Sequence, residues 1–312
     1  MLGRLGRAAT ACLYRWSFPG RAYAWGRSIL ATATLLTLAT NSQTTLFPVR
    51  SGGCREEELI SLFCLTPETW IWLAKASSVL VLAVVASGFA PRVTGLLHWW
   101  VSHSLAASSR TIDGGDQLAA NITLLLVPIT LVDRRLFHWV GVPFGPFDLG
   151  TRQLGRALVW YFAFAAVRLQ MVIVYLEAAL GKLWVAEWRD GTAMYYWLLD
   201  PSYGLPNPLR PLFVPLLRFP AVVASLTWLV IGIEAFLAVA LFLPNPYRRL
   251  ALVMGAILHG LIAVVLGLPS FSLIMFGGLL LYLWRPATPY AVGVSITVSN
   301  CTEITGEIVH SG

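Results

Sequence analysis

Charged residues are nearly missing from long stretches of this chain, and that scarcity limits what it can fold into. Three runs, 79–90, 221–233 and 273–284, contain no Asp, Glu, Lys or Arg, and each continues into further apolar sequence. Charged residues make up only 12% of the 312 residues, about half of the roughly 25% found in soluble domains. A soluble protein of this length could not cover its surface with so few charges. The sequence therefore predicts an all-α integral membrane protein.

The lengths of the apolar stretches predict a polytopic bundle of about eight transmembrane helices, since a spanning helix needs roughly 20 mostly apolar residues. The third, fourth and eighth stretches are short, which indicates tilted, broken or re-entrant segments covered by protein or water. The predicted spans are 24–47, 70–89, 93–109, 117–132, 157–185, 221–243, 251–268 and 271–284.

The basic residues favour one orientation of this bundle. Arginines are concentrated in the N-terminal segment and in short alternate loops, such as the one with Arg134 and Arg135, whereas the other side has them in longer loops. By the positive-inside rule, both termini are cytoplasmic. The net charge of +7 therefore reflects membrane orientation, and no nucleic-acid partner is expected. The predicted organisation is a basic cytoplasmic segment 1–23, a transmembrane domain 24–285 and a short polar cytoplasmic tail 286–312.

The segment 201–220 differs from the spans because it contains six prolines, which prevent a continuous helix. Leu212, Phe213 and Val214 nevertheless keep part of it apolar. We expect an outer loop that lies on the membrane interface or dips into it.

Cys54 and Cys64 are ten positions apart in the first predicted outer loop. On the orientation above they face an oxidising compartment, where a disulfide persists. We expect a disulfide that acts as a structural staple, with two unrelated thiols as the alternative. No histidine or further cysteine is close in the sequence, so no metal site is expected here.

The fifth span has the densest set of polar residues at membrane depth. Arg168, Tyr175 and Lys182 are spaced by seven and form one stripe on a helix, while Gln170 and Glu177 form a second stripe on roughly the opposite side. A helix that is polar on two faces cannot be a lipid-facing anchor. We predict that Arg168, Gln170, Tyr175 and Glu177 line a cavity.

Three further ionisable residues accompany Lys182 as catalytic candidates. Glu234 and His259 lie in the middle of the sixth and seventh spans, and Asp116 opens the fourth. An ionisable side chain at membrane depth costs about 2.5–3.5 kcal/mol even on the mildest scale, so each invites a functional hypothesis. If these helices pack around the fifth, a lysine, a glutamate and a histidine converge, and a desolvated lysine is a usable base.

Structural roles explain the same residues, and these alternatives stay open. Lys182 lies near the outer end of its span and could reach the interface by snorkelling. Glu177 or Glu234 could pair with Arg168 and hold helices together. Arg27 lies near a span end, where we expect it to snorkel as well.

Around these residues the sequence resembles a known domain. It is similar to the horizontally transferred transmembrane domain that vitamin K-dependent gamma-carboxylases share with bacterial relatives. Other stretches resemble one bacterial branch more closely, the sporulation-delaying protein SdpB family. The first likeness rests on residues 175–184, 187–193, 231–235 and 270–276 with His259 before them, and the second on residues 27–30, 34–37, 60–65, 99–102, 113–117 and 131–139.

The SdpB-like resemblance implies a multi-pass protein of the bacterial cell membrane that matures or exports a small secreted antimicrobial peptide. Its implied partners are the lipid bilayer, an SdpA-like protein and the peptide precursor. In the carboxylases a lysine in the corresponding motif deprotonates a reduced quinone, and Lys182 matches its position, so a reduced quinone is the cofactor that this resemblance implies. The carboxylases also carry a large soluble domain, whereas the tail 286–312 is short, so carboxylation itself is not expected.

Three functions therefore remain open from the sequence. The first is a maturation factor for a peptide toxin, and the second is a quinone-dependent membrane enzyme that uses Lys182 as a base. The third is a transporter or an immunity protein, against which the missing inverted repeat counts mildly.

Overall fold

The computed structural model describes residues 20–47, 54–110, 113–140 and 151–284, and they form a bundle of α-helices. Within these ranges, eight long helices follow the order of the predicted spans. They are α1 (Gly20–Thr40), α2 (Ile71–Ser87), α3 (Pro91–Ser108), α4 (Gly114–Val132), α5 (Thr151–Lys182), α6 (Pro220–Val239), α7 (Asn245–Val265) and α8 (Pro269–Leu283).

Short helical segments connect the long helices. Some are α-helical, namely Gln43–Leu46, Leu62–Leu65, Ala186–Arg189, Ala193–Leu199 and Arg210–Phe213, and others are 3-10 turns, namely Glu56–Glu58, Glu68–Trp70, Leu216–Arg218 and Ala240–Phe242. The described ranges contain no strand, and their one isolated bridge joins Phe89 to Phe137.

Five of the long helices have the length and composition to cross a membrane. They are α2, α4, α5, α6 and α7, with α2 extended by its preceding turn and α6 by its following one. Helix α8 is apolar but has 15 residues, whereas α1 and α3 contain several buried polar side chains. The chain is thus an all-α membrane protein, as predicted.

Some predictions fall outside the described residues. They concern residues 1–19 of the basic segment, Arg285 at the end of the transmembrane domain and the tail 286–312. The cytoplasmic location of both termini stays a prediction.

Local sequence signals set several helix ends. Helices α3, α6 and α8 begin with Pro91, Pro220 and Pro269, where the missing N–H is harmless. Helix α2 ends at Gly88, whose φ of 85° is in the left-handed region that glycine adopts without strain. Asp113 caps α4, since its side chain accepts a hydrogen bond from Asp116 N at 3.0 Å.

Two apolar cores hold the bundle together. The larger core lies among α1, α4, α5, α6, α7 and α8, and the smaller lies among α1, α2 and α3. Helix α3 packs closely against α4, because Gly95 has no Cβ and its backbone faces the Thr130 side chain. Helix α1 packs against both α2 and α8, and therefore contributes to both cores.

The segment after α5 folds back onto the start of α6. Leu198, Leu205 and Leu217 form a small core with Val223 of α6. Several aromatic rings are exposed on this segment, with Trp184 at 86%, and exposed tryptophan and tyrosine are typical of membrane interfaces. Residues 201–220 contain only short helical pieces, in agreement with the effect of their prolines.

Candidate functional site

Lys182 and Glu234 form an ion pair that joins α5 to α6. Lys182 Nζ lies 2.7 Å from both Oε1 and Oε2 of Glu234, and the side chains are 20% and 13% exposed. Lys182 is the last residue of α5, whereas Glu234 lies in the second half of α6. Both helices are mostly apolar there, so either charge alone would be energetically costly. The ion pair compensates both charges.

The Lys182 ammonium group has an acceptor for each of its three N–H bonds. Two of them donate to Glu234, and the third donates to the backbone oxygen of Ala178 at 3.2 Å. The Trp188 ring lies 5.1 Å from Nζ and adds a cation–π contact. Three acceptor oxygens therefore surround Nζ in this geometry. Among the described residues, Glu234 is the charged partner of Lys182.

Tyr175 and His259 form a second polar pair, between α5 and α7. Tyr175 Oη lies 3.0 Å from His259 Nε2, and the residues are 1% and 4% exposed. His259 Nδ1 has no hydrogen-bond partner within the described residues. Tyr175 lies two helical turns before Lys182, so α5 contacts α6 through one of these residues and α7 through the other.

Three of the four catalytic candidates are thus brought to neighbouring helices, whereas Asp116 lies elsewhere. Asp116 is 4% exposed in the first turn of α4, where the Thr37 side chain of α1 interacts with it. In the described part of the chain, Asp116 Oδ1 has no partner. Asp113, which precedes the helix, has its pKa raised by burial. No contact in these ranges joins Asp116 to the other candidates, and a catalytic role for all four stays a prediction.

The residues predicted to line a cavity have different environments. Tyr175 is buried, Arg168 and Gln170 are half-buried, and Glu177 is exposed on α5. The guanidinium carbon of Arg168 lies 5.9 Å from the centre of the Phe164 ring. A cavity among these four residues stays a prediction.

A buried polar cluster around Arg27 was not predicted as a site. Arg27 is 1% exposed, and its two terminal nitrogens contact His138 Nδ1 at 3.0 Å and Thr94 Oγ1 at 2.6 Å. Ser28 Oγ lies 3.2 Å from His138 Nε2 and donates to the Ala86 oxygen at 2.7 Å. The expectation that Arg27 snorkels is wrong, because neighbouring side chains enclose its guanidinium.

The hydrogen bonds in this cluster fix the protonation of His138. Its Nδ1 must accept, because an arginine nitrogen can only donate. Its Nε2 must carry the proton, since the Ser28 hydroxyl already donates to Ala86 and accepts here. Burial, with help from the Arg27 and Arg135 charges, lowers the pKa of His138 to about 3. His138 is therefore a neutral ring that ties the loop after α4 to α1.

One sequence signal pointed toward this cluster. The stretches 27–30 and 131–139 carry part of the family resemblance, and they contain Arg27 and His138. In the structure, His138 N also donates to the Gly88 oxygen at 3.0 Å, and Asp133 forms a salt bridge of 2.7 Å with Arg135. The first contact holds the loop against the turn between α2 and α3, and the second is internal to the loop.

The predicted disulfide between Cys54 and Cys64 is present, with Cα atoms 5.9 Å apart. Arg55, next to the bridge, donates from Nε to Glu58 Oε1 at 2.9 Å and from Nη2 to the Ala107 oxygen at 3.1 Å. Glu58 is close enough to both sulfurs for the three side chains to hold a metal ion, but the disulfide engages both sulfurs. Arg55, next to the bridge, thus fastens the loop to α3.

Comparison with known proteins found two relatives along most of the chain. The sporulation-delaying protein SdpB of Bacillus subtilis (strain 168) is 35% identical over 286 residues, which cover 90% of this chain and 85% of that protein. The uncharacterized protein YitO of the same strain is 38% identical over 268 residues, 84% of each chain. No protein-family profile and no solved structure matches the chain.

Proposed function

Because the chain belongs to the family of the sporulation-delaying protein SdpB, we propose that it acts in the production of a secreted antimicrobial peptide of the sporulation-delaying type. The observation that carries this proposal is the 35% identity over 90% of the chain. An alignment of that extent spans most of the helical bundle rather than one generic apolar span. The helical membrane fold supports the same proposal.

In this proposal the chain is a multi-pass protein of the bacterial cell membrane that works with an SdpA-like protein on a small peptide precursor. Five apolar helices support the membrane location. The paired charges of α5 and α6 support a stable bundle in lipid, since isolated charges there would oppose insertion. We place both termini in the cytoplasm on the distribution of arginines.

Gene deletion with mass spectrometry of the secreted peptides tests the proposal. We expect the deletion strain to lose one mature peptide and to accumulate or degrade its precursor. A plasmid copy of the wild-type gene should restore the mature peptide, whereas a copy with an early stop codon should not. An unchanged set of secreted peptides in the deletion strain would remove the proposed function.

The alternative of a quinone-dependent enzyme needs a basic Lys182. The residues present do not fit this role in the geometry described, because the Glu234 carboxylate and the Ala178 oxygen already engage Lys182 Nζ. A Lys182→Met variant that still matures the peptide would exclude the alternative, whereas a folded and inactive one would favour it.

A further inference from the structure

A pocket lies at one end of the bundle, outside the site described above. It is formed by the C-terminal end of α3, the N-terminal half of α4 and the loop closed by the disulfide, and its volume is about 620 Å³. Cavities that bind small molecules commonly measure about 300–1,000 Å³. Its size therefore suits a ligand larger than a simple ion.

The polar lining of this pocket is basic or neutral. It contains no carboxylate, and the residues that contribute polar side chains are Arg55, His103, Ser109, Arg110, Gln117 and Asn121. Guanidinium groups and carboxamides donate hydrogen bonds in planes that match phosphate or carboxylate oxygens. The lining thus favours an anionic ligand with several acceptor oxygens.

The two arginines of the lining differ in whether a carboxylate compensates their charge. Arg55 is held in place by Glu58, which neutralises it, and by the Ala107 oxygen. Arg110 is exposed, and within the described residues its guanidinium has neither an ion pair nor a hydrogen bond. At the wall, His103 Nε2 is buried without a partner in the same ranges. Arg110 therefore supplies the uncompensated positive charge.

The side chains around this pocket resemble those of a membrane interface. Leu59, Ile60 and Leu65 on the adjoining loop are 51–62% exposed, and Trp70 after it is 54% exposed. Trp100 Nε1 donates to the Ile60 oxygen at 2.8 Å and ties the loop to α3. Exposed apolar side chains with tryptophans beside them are typical of the membrane interface, where phosphate groups are the abundant anions.

We propose that this pocket binds the phosphate group of an anionic phospholipid, with Arg110 and the carboxamides of Gln117 and Asn121 as its ligands. Arg55 forms the fixed wall, and the disulfide loop holds it there. The three alanines of the lining leave room for the glycerol part of the head group. This proposal does not depend on the proposed function, since it follows from the pocket and the side chains around it.

Native mass spectrometry of the full chain in detergent, titrated with phosphatidylglycerol, tests the proposal. We expect Arg110→Gln to weaken the tightest lipid adduct about tenfold or more, because it removes a charge-assisted bond to phosphate. Arg189→Gln is the matched control, since Arg189 is an exposed arginine on a short helix that does not line the pocket. Gln117→Ala is a second variant that keeps the charge and should weaken the adduct less.

Inorganic phosphate in a parallel titration separates the two sources of the anion. Binding of phosphatidylglycerol that depends on Arg110 supports the lipid head group. Binding of inorganic phosphate that depends on Arg110, without any effect on the lipid, keeps the phosphate site and overturns the lipid as its occupant. Equal affinities of wild type and Arg110→Gln for both ligands would overturn the site.

Discussion

The ion pair between Lys182 and Glu234 allows a quantitative test of its role. Replacing one partner with methionine, as in Lys182→Met or Glu234→Met, leaves the other charge among apolar helices. Breaking a buried pair costs about 3–5 kcal/mol. The side chains here are 20% and 13% exposed, so solvent screening lowers the expected loss to about 2–3 kcal/mol for each single variant.

The double variant separates the interaction energy of the ion pair from the contributions of the individual residues. Two methionines of similar volume bury no charge, so the double variant should lie within about 1 kcal/mol of wild type. The losses of the single variants would add to about 4–6 kcal/mol if they were independent, so we expect a coupling energy of about 3 kcal/mol or more.

Unfolding in mixed micelles with increasing sodium dodecyl sulfate, followed by tryptophan fluorescence, measures these free energies. Glu187→Met is the control, because Glu187 is an exposed carboxylate just beyond α5 and its replacement should change stability by less than about 0.5 kcal/mol. Single and double losses that simply add would refute the reasoning.

The same variants distinguish a structural role of the ion pair from a catalytic role of Lys182. If the pair only fastens α5 to α6, the double variant should be stable and should mature the peptide. If Lys182 is a base, the double variant should be stable and inactive. Abundance in the membrane, measured by immunoblot, confirms that both comparisons are made on folded protein.

Three further predictions concern other parts of the bundle. Replacing Cys54 and Cys64 with serine should lower stability by about 2–3 kcal/mol through loss of loop closure, and a reducing agent should lower wild type, but not the variant, by the same amount. Gly95→Ala should destabilise the protein by about 1–3 kcal/mol because its Cβ would collide with the Thr130 side chain. Gly232 lies on an open surface of α6, so Gly232→Ala should be neutral or stabilising by up to about 1 kcal/mol in the same unfolding assay. Because the pKa of His138 is lowered to about 3 from 6.5, the imidazole of the unfolded chain is protonated first as the pH falls. Lowering the pH from 7 to 5 should therefore reduce the free energy of unfolding of wild type by about 2 kcal/mol more than that of His138→Gln. Equal losses would contradict the buried neutral ring.

Apolar length predicted the helices well, because backbone groups in a bilayer must bond within a helix. The prediction was less accurate at the ends. The first span was expected to reach residue 47, but α1 ends at Thr40 and a separate helix follows Ser42, whose hydroxyl caps it. Polar residues such as Thr40 and Ser42 bond the local backbone, and hydropathy alone does not register that competition.

The cysteine pair was predictable because two cysteines share one short loop, whereas the pairing of charges was not. Lys182 and Glu234 are 52 positions apart and Arg27 and His138 are 111 apart, so their meeting depends on which helices pack together. Sequence spacing showed that α5 is polar on two faces. It did not show that Glu177 lies on the surface while Tyr175 is buried.

Three side-chain contacts at depth in the described bundle join different helices, and this pattern bears on function. Lys182 with Glu234 links α5 to α6, Tyr175 with His259 links α5 to α7, and Arg27 with Thr94 links α1 to α3. Such contacts specify which apolar faces meet, because a mispaired helix would leave a charge in lipid. A bundle fixed in this way needs no catalytic role for these residues, and the double methionine variant at 182 and 234 asks whether it has one.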